Sequence, residues 1–417
     1  MRFAAILALT CFPAAAAGLR AAAVKVDITP QTSQWLMGYN ARKSTGVHDA
    51  IYHRVVAIES GGTEFYMVSS DLCLFSPEVY EEAARRLDRA MGLARTHFWW
   101  SVTHTHAAPE VGPPGMYKAL LGRSDHEYDR EYEGFVLDSL VRAVQEARGK
   151  LEPARMAFGQ GVAMANINRR AMDVDRTVSL GLNPDGPADR QIGLIRLERA
   201  DGGLLAVVMN YAMHGTVMNG QNLQISGDGP GTVTAYLESK LGAVVLYANG
   251  AAGNLAPIYT VYPDAKSGHL SQFNVLLGDK VLAAAQSTGG ATADVTIWAG
   301  EKVIETAHKD GLALPEELNA YARGSGIGVP VRFLRLNDTL IWAAPVELFC
   351  EISMAVRNQS PFAHTFYFGY TNGWLGYLPT AQAFGEGGYE PRTSPFTAKA
   401  EADVRDGVIA FLQGMRR

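Results

Sequence analysis

Apolar and polar positions alternate with a period of two in several stretches, and each such stretch predicts a strand. "AAAVKVDI" near the N-terminus is one. "HRVVAIESGGTEFYMVSSDL" is two, with Gly61-Gly62 at the turn of a hairpin. Further strands are predicted for "HFWWSVTHTH", Met156–Val162, Ile192–Arg199, Leu204–Met209 and Val244–Ala248. Elsewhere the apolar spacing is helical. "SPEVYEEAARRLDRAMG" opens on Ser-Pro, carries acids early and closes on glycine, which are helix caps. "YDREYEGFVLDSLVRAVQEARGKL" places Phe135, Leu137, Leu140, Val141 and Val144 at helical spacing. Later helices are predicted at Ser271–Gln286, Glu347–Arg357 and Ala398–Gly414. Interleaved strands and helices give the fold class as α/β, a mixed β-sheet core flanked by helices. Long Gly- and Asn-rich loops ("GLNPDGPAD", "NGQNLQISGDGPG", "ANGAAGNLAP", "AFGEGGYEP") follow predicted strands and read as site-forming loops. With no internal repeat and no Pro/Ser-rich linker, residues 18–417 form one catalytic-type domain.

Composition adds limits rather than detail. The chain has 417 residues, 47% hydrophobic and 19% charged, enough for a substantial core. A net charge of -5 and the lack of a long basic run argue against nucleic acid as a partner. The opening "MRFAAILALTCFPAAAAGLRAAAV" has one arginine, an apolar stretch and a run of small residues, the pattern of a secretory signal over residues 1–17 cleaved near Ala17. That apolar stretch is shorter than the ~20 residues of a membrane span, so the expectation is export, periplasmic or secreted, with no transmembrane segment in the mature chain. Cys73 and Cys350 lie in apolar runs and read as buried free thiols, although export permits a disulfide.

For chemistry, the sequence lacks G-x-S-x-G, H-E-x-x-H, a P-loop and a Rossmann fingerprint. It does carry "SVTHTHAAP". On a strand, positions i and i+2 share a face, so His104 and His106 would project into one space. Such a pair reads either as a metal or catalytic site or as two hydrogen-bonded structural histidines. His214, in "MNYAMHGTVMNG", ends a second predicted strand beside a Gly-rich loop. Glu347, in "IWAAPVELFCEI", is a lone carboxylate between apolar segments. It is either an acid at a helix N-terminus or a metal ligand. Asp71 and Asp228 near these segments read as turn or cap residues as readily as partners of a ligand histidine.

The motifs "VKVDITP", "THTHAAPE", "NINRR", "NPDGPAD", "NYAMHGTVM", "ISGDGPG", "GAAGNLAP", "PVELF" and "GYTNGWLGYLPT…GGYEP" occur in this order. Together they resemble the catalytic domain of the neutral/alkaline (non-lysosomal) ceramidase family, from about Val24 to Glu390. The resemblance implies a ceramidase-like fold and an amidohydrolase that cleaves an N-acyl amide, in ceramide or a related lipid or small molecule, with one Zn2+ per chain. It makes His104, His214, Glu347 and Tyr377 the zinc ligands. His106, Arg169 and Tyr389 become the remaining polar catalytic groups. Two histidines, a carboxylate and a phenol oxygen suit zinc with a position left for water.

The chain departs from the family in two places. Where the family reads G-D-x-S-P, this chain has "GNLAP", so Asn254 replaces the aspartate and Ala256 the serine. A water nucleophile does not need that hydroxyl, and its loss reads as a changed substrate contact. The family's C-terminal immunoglobulin-like domain has no counterpart before "GMRR", which widens the expectation to soluble N-acyl substrates. Alternative readings are a silent ligand-binding homologue and a hydrolase of a non-lipid substrate.

Overall fold

The computed structural model describes residues 18–123, 125–261 and 269–416. The expected signal segment, residues 1–17, lies outside the described residues. The core is an eight-stranded sheet in the order Val244–Asn249, Leu204–Tyr211, Gln191–Arg199, Glu152–Val162, Arg20–Asp27, Tyr52–Ser60, Thr63–Ser70 and Phe98–Val102. Tyr52–Ser60 and Thr63–Ser70 form the expected hairpin, with Gly61 and Gly62 both at positive φ. At each end of the order the outermost pair is parallel, Leu204–Tyr211 with Val244–Asn249 and Thr63–Ser70 with Phe98–Val102. The sheet curls so that its two edges meet. The Asn249 side-chain amide donates to the carbonyl of Thr103 at 3.1 Å and to that of Met213 at 2.9 Å. This bridge brings together the ends of the two strands that precede the histidines.

A second sheet (Ile297–Ala307, Gly326–Leu336, Thr339–Ala343, His364–Phe368) was absent from the sequence expectations. Its Leu334, Ile341, Phe366 and Phe368 pack against Val56, Met67 and Trp99 of the first sheet. Both faces of strands such as Gly326–Leu336 are buried, so their apolar runs show no alternation to read. Helices Pro77–Met91 and Arg130–Gly149 pack on the hairpin side, and Asp228–Leu241 and Asp279–Ser287 cover the strands around Leu204–Tyr211.

The helices expected at Ser271 and Ala398 begin a few residues later, at Asn274 with a π turn and at Ala400. The larger correction concerns Glu347. Glu347–Leu348 is a two-residue strand paired in parallel with Tyr377–Leu378, and the helix begins at Cys350. Cys73 and Cys350 are buried and free. No described helix is long and apolar enough to cross a membrane.

Candidate metal centre

His104 and His106 sit just past a strand end, which changes how they come together. Strand Phe98–Val102 stops before them, and His104 takes φ 66, the left-handed region that a non-glycine residue occupies at a cost. Three backbone bonds hold it there. The His104 N–H donates to the Leu72 carbonyl, while Gly215 N–H donates to the His104 carbonyl and His106 N–H to the Gly215 carbonyl. A Cβ on Gly215 would stand 2.5 Å from the His104 oxygen, so only glycine fits after His214. The two imidazoles therefore meet edge to face, with centroids 4.7 Å apart and planes at 86°, through a turn rather than along one face of a strand.

The tautomers follow from the acceptors around each ring. His104 Nδ1 donates to the Cys73 carbonyl at 3.0 Å. His214 Nδ1 donates to the carbonyls of Ala252 (2.7 Å) and Leu255 (3.0 Å), both from the "GAAGNLAP" loop. Each Nε2 is left free of backbone partners. Both face the same carboxylate oxygen, with His104 Nε2 3.4 Å and His214 Nε2 3.2 Å from Glu347 Oε2. Trp374 Nε1–H donates to Glu347 Oε1 at 3.0 Å and the Tyr370 hydroxyl to Oε2 at 3.4 Å; the Tyr370 ring also stacks on His104. All three donor residues are at most 2% exposed. Separations of this size match the edge, about 3.3 Å, of a tetrahedron with metal–ligand bonds of about 2.0–2.1 Å. Burial, then the neighbouring Arg169, pushes His214 down to about 3. Burial alone would raise the Glu347 carboxyl, but the flanking histidines hold it well below the usual carboxylate range. Two imidazole nitrogens and an ionised carboxylate converging on one small volume fit a divalent cation. Among the described residues, one other group could hold a metal, Cys73 with His104 and His106.

Around this triad lie the remaining expected residues. Strand Asn166–Met172, not anticipated as a strand, delivers Arg169, whose Nη1 donates to His214 Nε2 at 2.9 Å and Nη2 to the Tyr377 hydroxyl at 3.1 Å. Pairing of Glu347 with Tyr377 in adjacent short strands sets the phenol beside the carboxylate. Burial and then Glu347 push the Tyr377 hydroxyl well above its ordinary value, so it stays a phenol in the absence of a cation. The Tyr389 ring lies 5.7 Å from that of Tyr377 and is half-buried. His106 Nε2 is 3.2 Å from His104 Nε2, and its Nδ1 is buried against Gly38 without a hydrogen-bond partner. Burial, then the two neighbouring histidines, holds His106 well below its ordinary value and hence neutral.

Other positions have structural duties. Asp71 pairs with Arg54 at 2.8 Å, and Asp228 accepts from the N–H groups of Val217 and Met218, so neither carboxylate reaches the triad. Asn254 accepts from Cys350 N–H and donates to Glu351, pinning the loop whose carbonyls orient His214 to the start of the following helix. Ala256 lies half-buried in Leu255–Pro257, paired with Ile167. Trp374, Tyr370, Arg170 and Glu390 were not singled out from sequence. The one available signal was that Trp374 and Tyr370 fall inside "GYTNGW", close before Tyr377.

A buried His-His-Glu group that could hold a metal ion thus lies at the ends of a curled mixed sheet. Residues 21–262 match the family model described as neutral/alkaline non-lysosomal ceramidase, N-terminal. The chain belongs to the neutral/alkaline non-lysosomal ceramidase family. It is 27% identical over 252 residues to the neutral ceramidase of Pseudomonas aeruginosa, covering 57% of this chain and 37% of that protein. It is 29% identical over 263 residues to neutral ceramidase A of Dictyostelium discoideum, covering 59% of this chain and 34% of that one. The matched stretch thus spans little more than a third of these curated relatives. The solved structure of the Pseudomonas aeruginosa neutral ceramidase superposes with a TM-score of 0.80 at 19% identity, over 96% of this chain and 75% of that chain. The shared fold therefore extends well beyond the matched sequence.

Proposed function

We propose that the chain is an exported zinc-dependent amidohydrolase that cleaves the N-acyl amide of ceramide or a related N-acylated lipid amine. The observation that carries this reading is the convergence of His104 Nε2 and His214 Nε2 on Glu347 Oε2, with both Nδ1 protons committed to backbone carbonyls. Those three residues would hold the cation, with Tyr377 completing the set. Bound there, zinc supplies a Lewis acid for the amide carbonyl and lowers the pKa of water.

The chain's own groups do the rest. Water adds its oxygen to the acyl carbon, the C–N bond breaks, and the proton from water ends on the amine. His106 Nε2 faces the donors and is the nitrogen that takes and returns that proton. With His214 Nε2 given to the cation, Arg169 Nη1 is released from it, and Arg169 and the phenol of Tyr389 donate to the carbonyl oxygen as negative charge develops on it, in a site with little water to screen them. No hydroxyl nucleophile enters this scheme, in keeping with alanine at position 256.

The test is release of fatty acid from a fluorescent-acyl ceramide by the purified protein, with and without a chelator and with zinc measured. Chelator-sensitive release is expected. No release from protein holding one zinc per chain would turn down ceramide as the substrate. Export predicts that secreted material starts near residue 18, and material still starting at Met1 would overturn it.

A further inference from the structure

Arg169 and Arg170 are consecutive and both buried, and both end on Glu390. Arg169 Nε donates to Glu390 Oε1 at 2.8 Å and Arg170 Nη1 to Oε2 at 2.9 Å. Glu390 is 1% exposed, so this carboxylate is given over to two guanidiniums. Its bond at Nε leaves the two terminal nitrogens of Arg169 to fork towards His214 and Tyr377. Glu390 also directly follows Tyr389, in a short helix entered through Gly387 (φ +75) and Gly388 (φ +96). Arg170 straps that entry as well, its Nη2 donating to Glu386 Oε2 at 3.1 Å and to the Gly387 carbonyl at 2.8 Å. A Cβ on Gly388 would press on Arg170 Nη1 at 3.1 Å and Val178 Cγ1 at 3.0 Å, so the turn is seated closely on the strap.

We propose that Glu390 is a positioning residue that couples the aim of Arg169 to the seating of the Tyr389 turn on Arg170. The guanidinium and the phenol that face the substrate are thereby placed together or not at all. The kinetic part of this proposal rests on the amidohydrolase reading.

The experiment compares Glu390→Gln, Arg169→Gln and the double variant on the fluorescent-acyl amide, with zinc content measured for each. A misdirected donor lowers the rate by about 10–100-fold, so Glu390→Gln should lose that much kcat, with KM within about threefold and zinc unchanged. In the Arg169→Gln background it should cost no more than about a further twofold, because the residue it aims is gone. Glu390→Asp should recover part of the loss. A folded Glu390→Gln with kcat within twofold of the parent, or losses that multiply in the double variant, would overturn the proposal. If Glu390→Gln does not fold, Arg170→Lys takes its place, with a smaller kcat loss expected and no loss overturning it. The imidazole resonances of His214 in metal-free protein give a readout independent of turnover. They should move in Glu390→Gln while those of His53 stay. An unmoved His214 rejects the proposal, whereas a parent protein inactive on every N-acyl amide rejects only the functional reading.

Discussion

His104 and His214 give their Nδ1 protons to backbone carbonyls, whereas Arg169 and Tyr389 are held by a shared carboxylate and by a turn of two glycines. The donor side of the site is thus fixed by main chain that the sheet ends themselves supply. The Arg169 side depends on buried charges answering one another across the fold, and breaking a buried ion pair leaves an uncompensated charge behind.

The largest effect is expected on the donor side. His214→Ala should abolish zinc binding and reduce turnover by at least about 10³-fold; metal analysis alongside the ceramide assay checks it, and full activity would break the comparison outright. Trp374→Phe keeps an aromatic ring, though a smaller one, and removes the N–H that holds Glu347 Oε1. Zinc affinity should fall about 10–100-fold, measured by competition with a chromophoric chelator, while kcat at saturating zinc changes less.

His53 separates burial from metal chemistry. It is fully buried, bonded to Ser70 Oγ and the Val136 carbonyl, and burial lowers it from 6.5 to about 4. Below pH 6.5 the unfolded chain binds a proton there that the folded chain does not, so this contribution to stability declines as pH falls from 6.5 towards 4. One such group gives a slope of up to about 1.4 kcal/mol per pH unit across that window. Urea midpoints of the parent and His53→Gln should diverge in slope there and run parallel above pH 7. Identical slopes throughout would mean that burial does not set the protonation of His53.

The smallest effect is expected from Ala256→Ser, which restores the hydroxyl of the family pattern. If water is the nucleophile, kcat should stay within about threefold and any change should fall on KM, read from steady-state kinetics on long- and short-chain amides. A gain of orders of magnitude in kcat would instead make the missing hydroxyl part of the reaction.

Arg169, Tyr377 and Tyr389 were reached only through the family resemblance, whereas His104, His106 and His214 were legible because they stand at predicted strand ends beside Gly- or Pro-rich loops, a local pattern. The hairpin at Gly61-Gly62 and the capped helix Pro77–Met91 were legible for the same reason. The centre of the second sheet was not, since Gly326–Leu336 and Thr339–Ala343 are buried on both faces and show no alternation. Glu347 looked like a helix start because its neighbours carry helical spacing, yet its pairing with Tyr377 moved it out of the helix and onto the histidines.

Local pattern therefore determined the class of fold and marked the imidazoles and the carboxylate as candidates, while the family resemblance added Arg169 and the phenols. Tertiary structure decided the left-handed turn at His104, the carbonyls that set both tautomers, the grip of Trp374 on Glu347 and the bridge of Glu390 between two arginines. The physical reason is range. Backbone propensity and side-chain spacing act over a few residues, whereas a His104–Glu347 or Arg169–Glu390 contact exists only once the curled sheet has brought distant segments to one place.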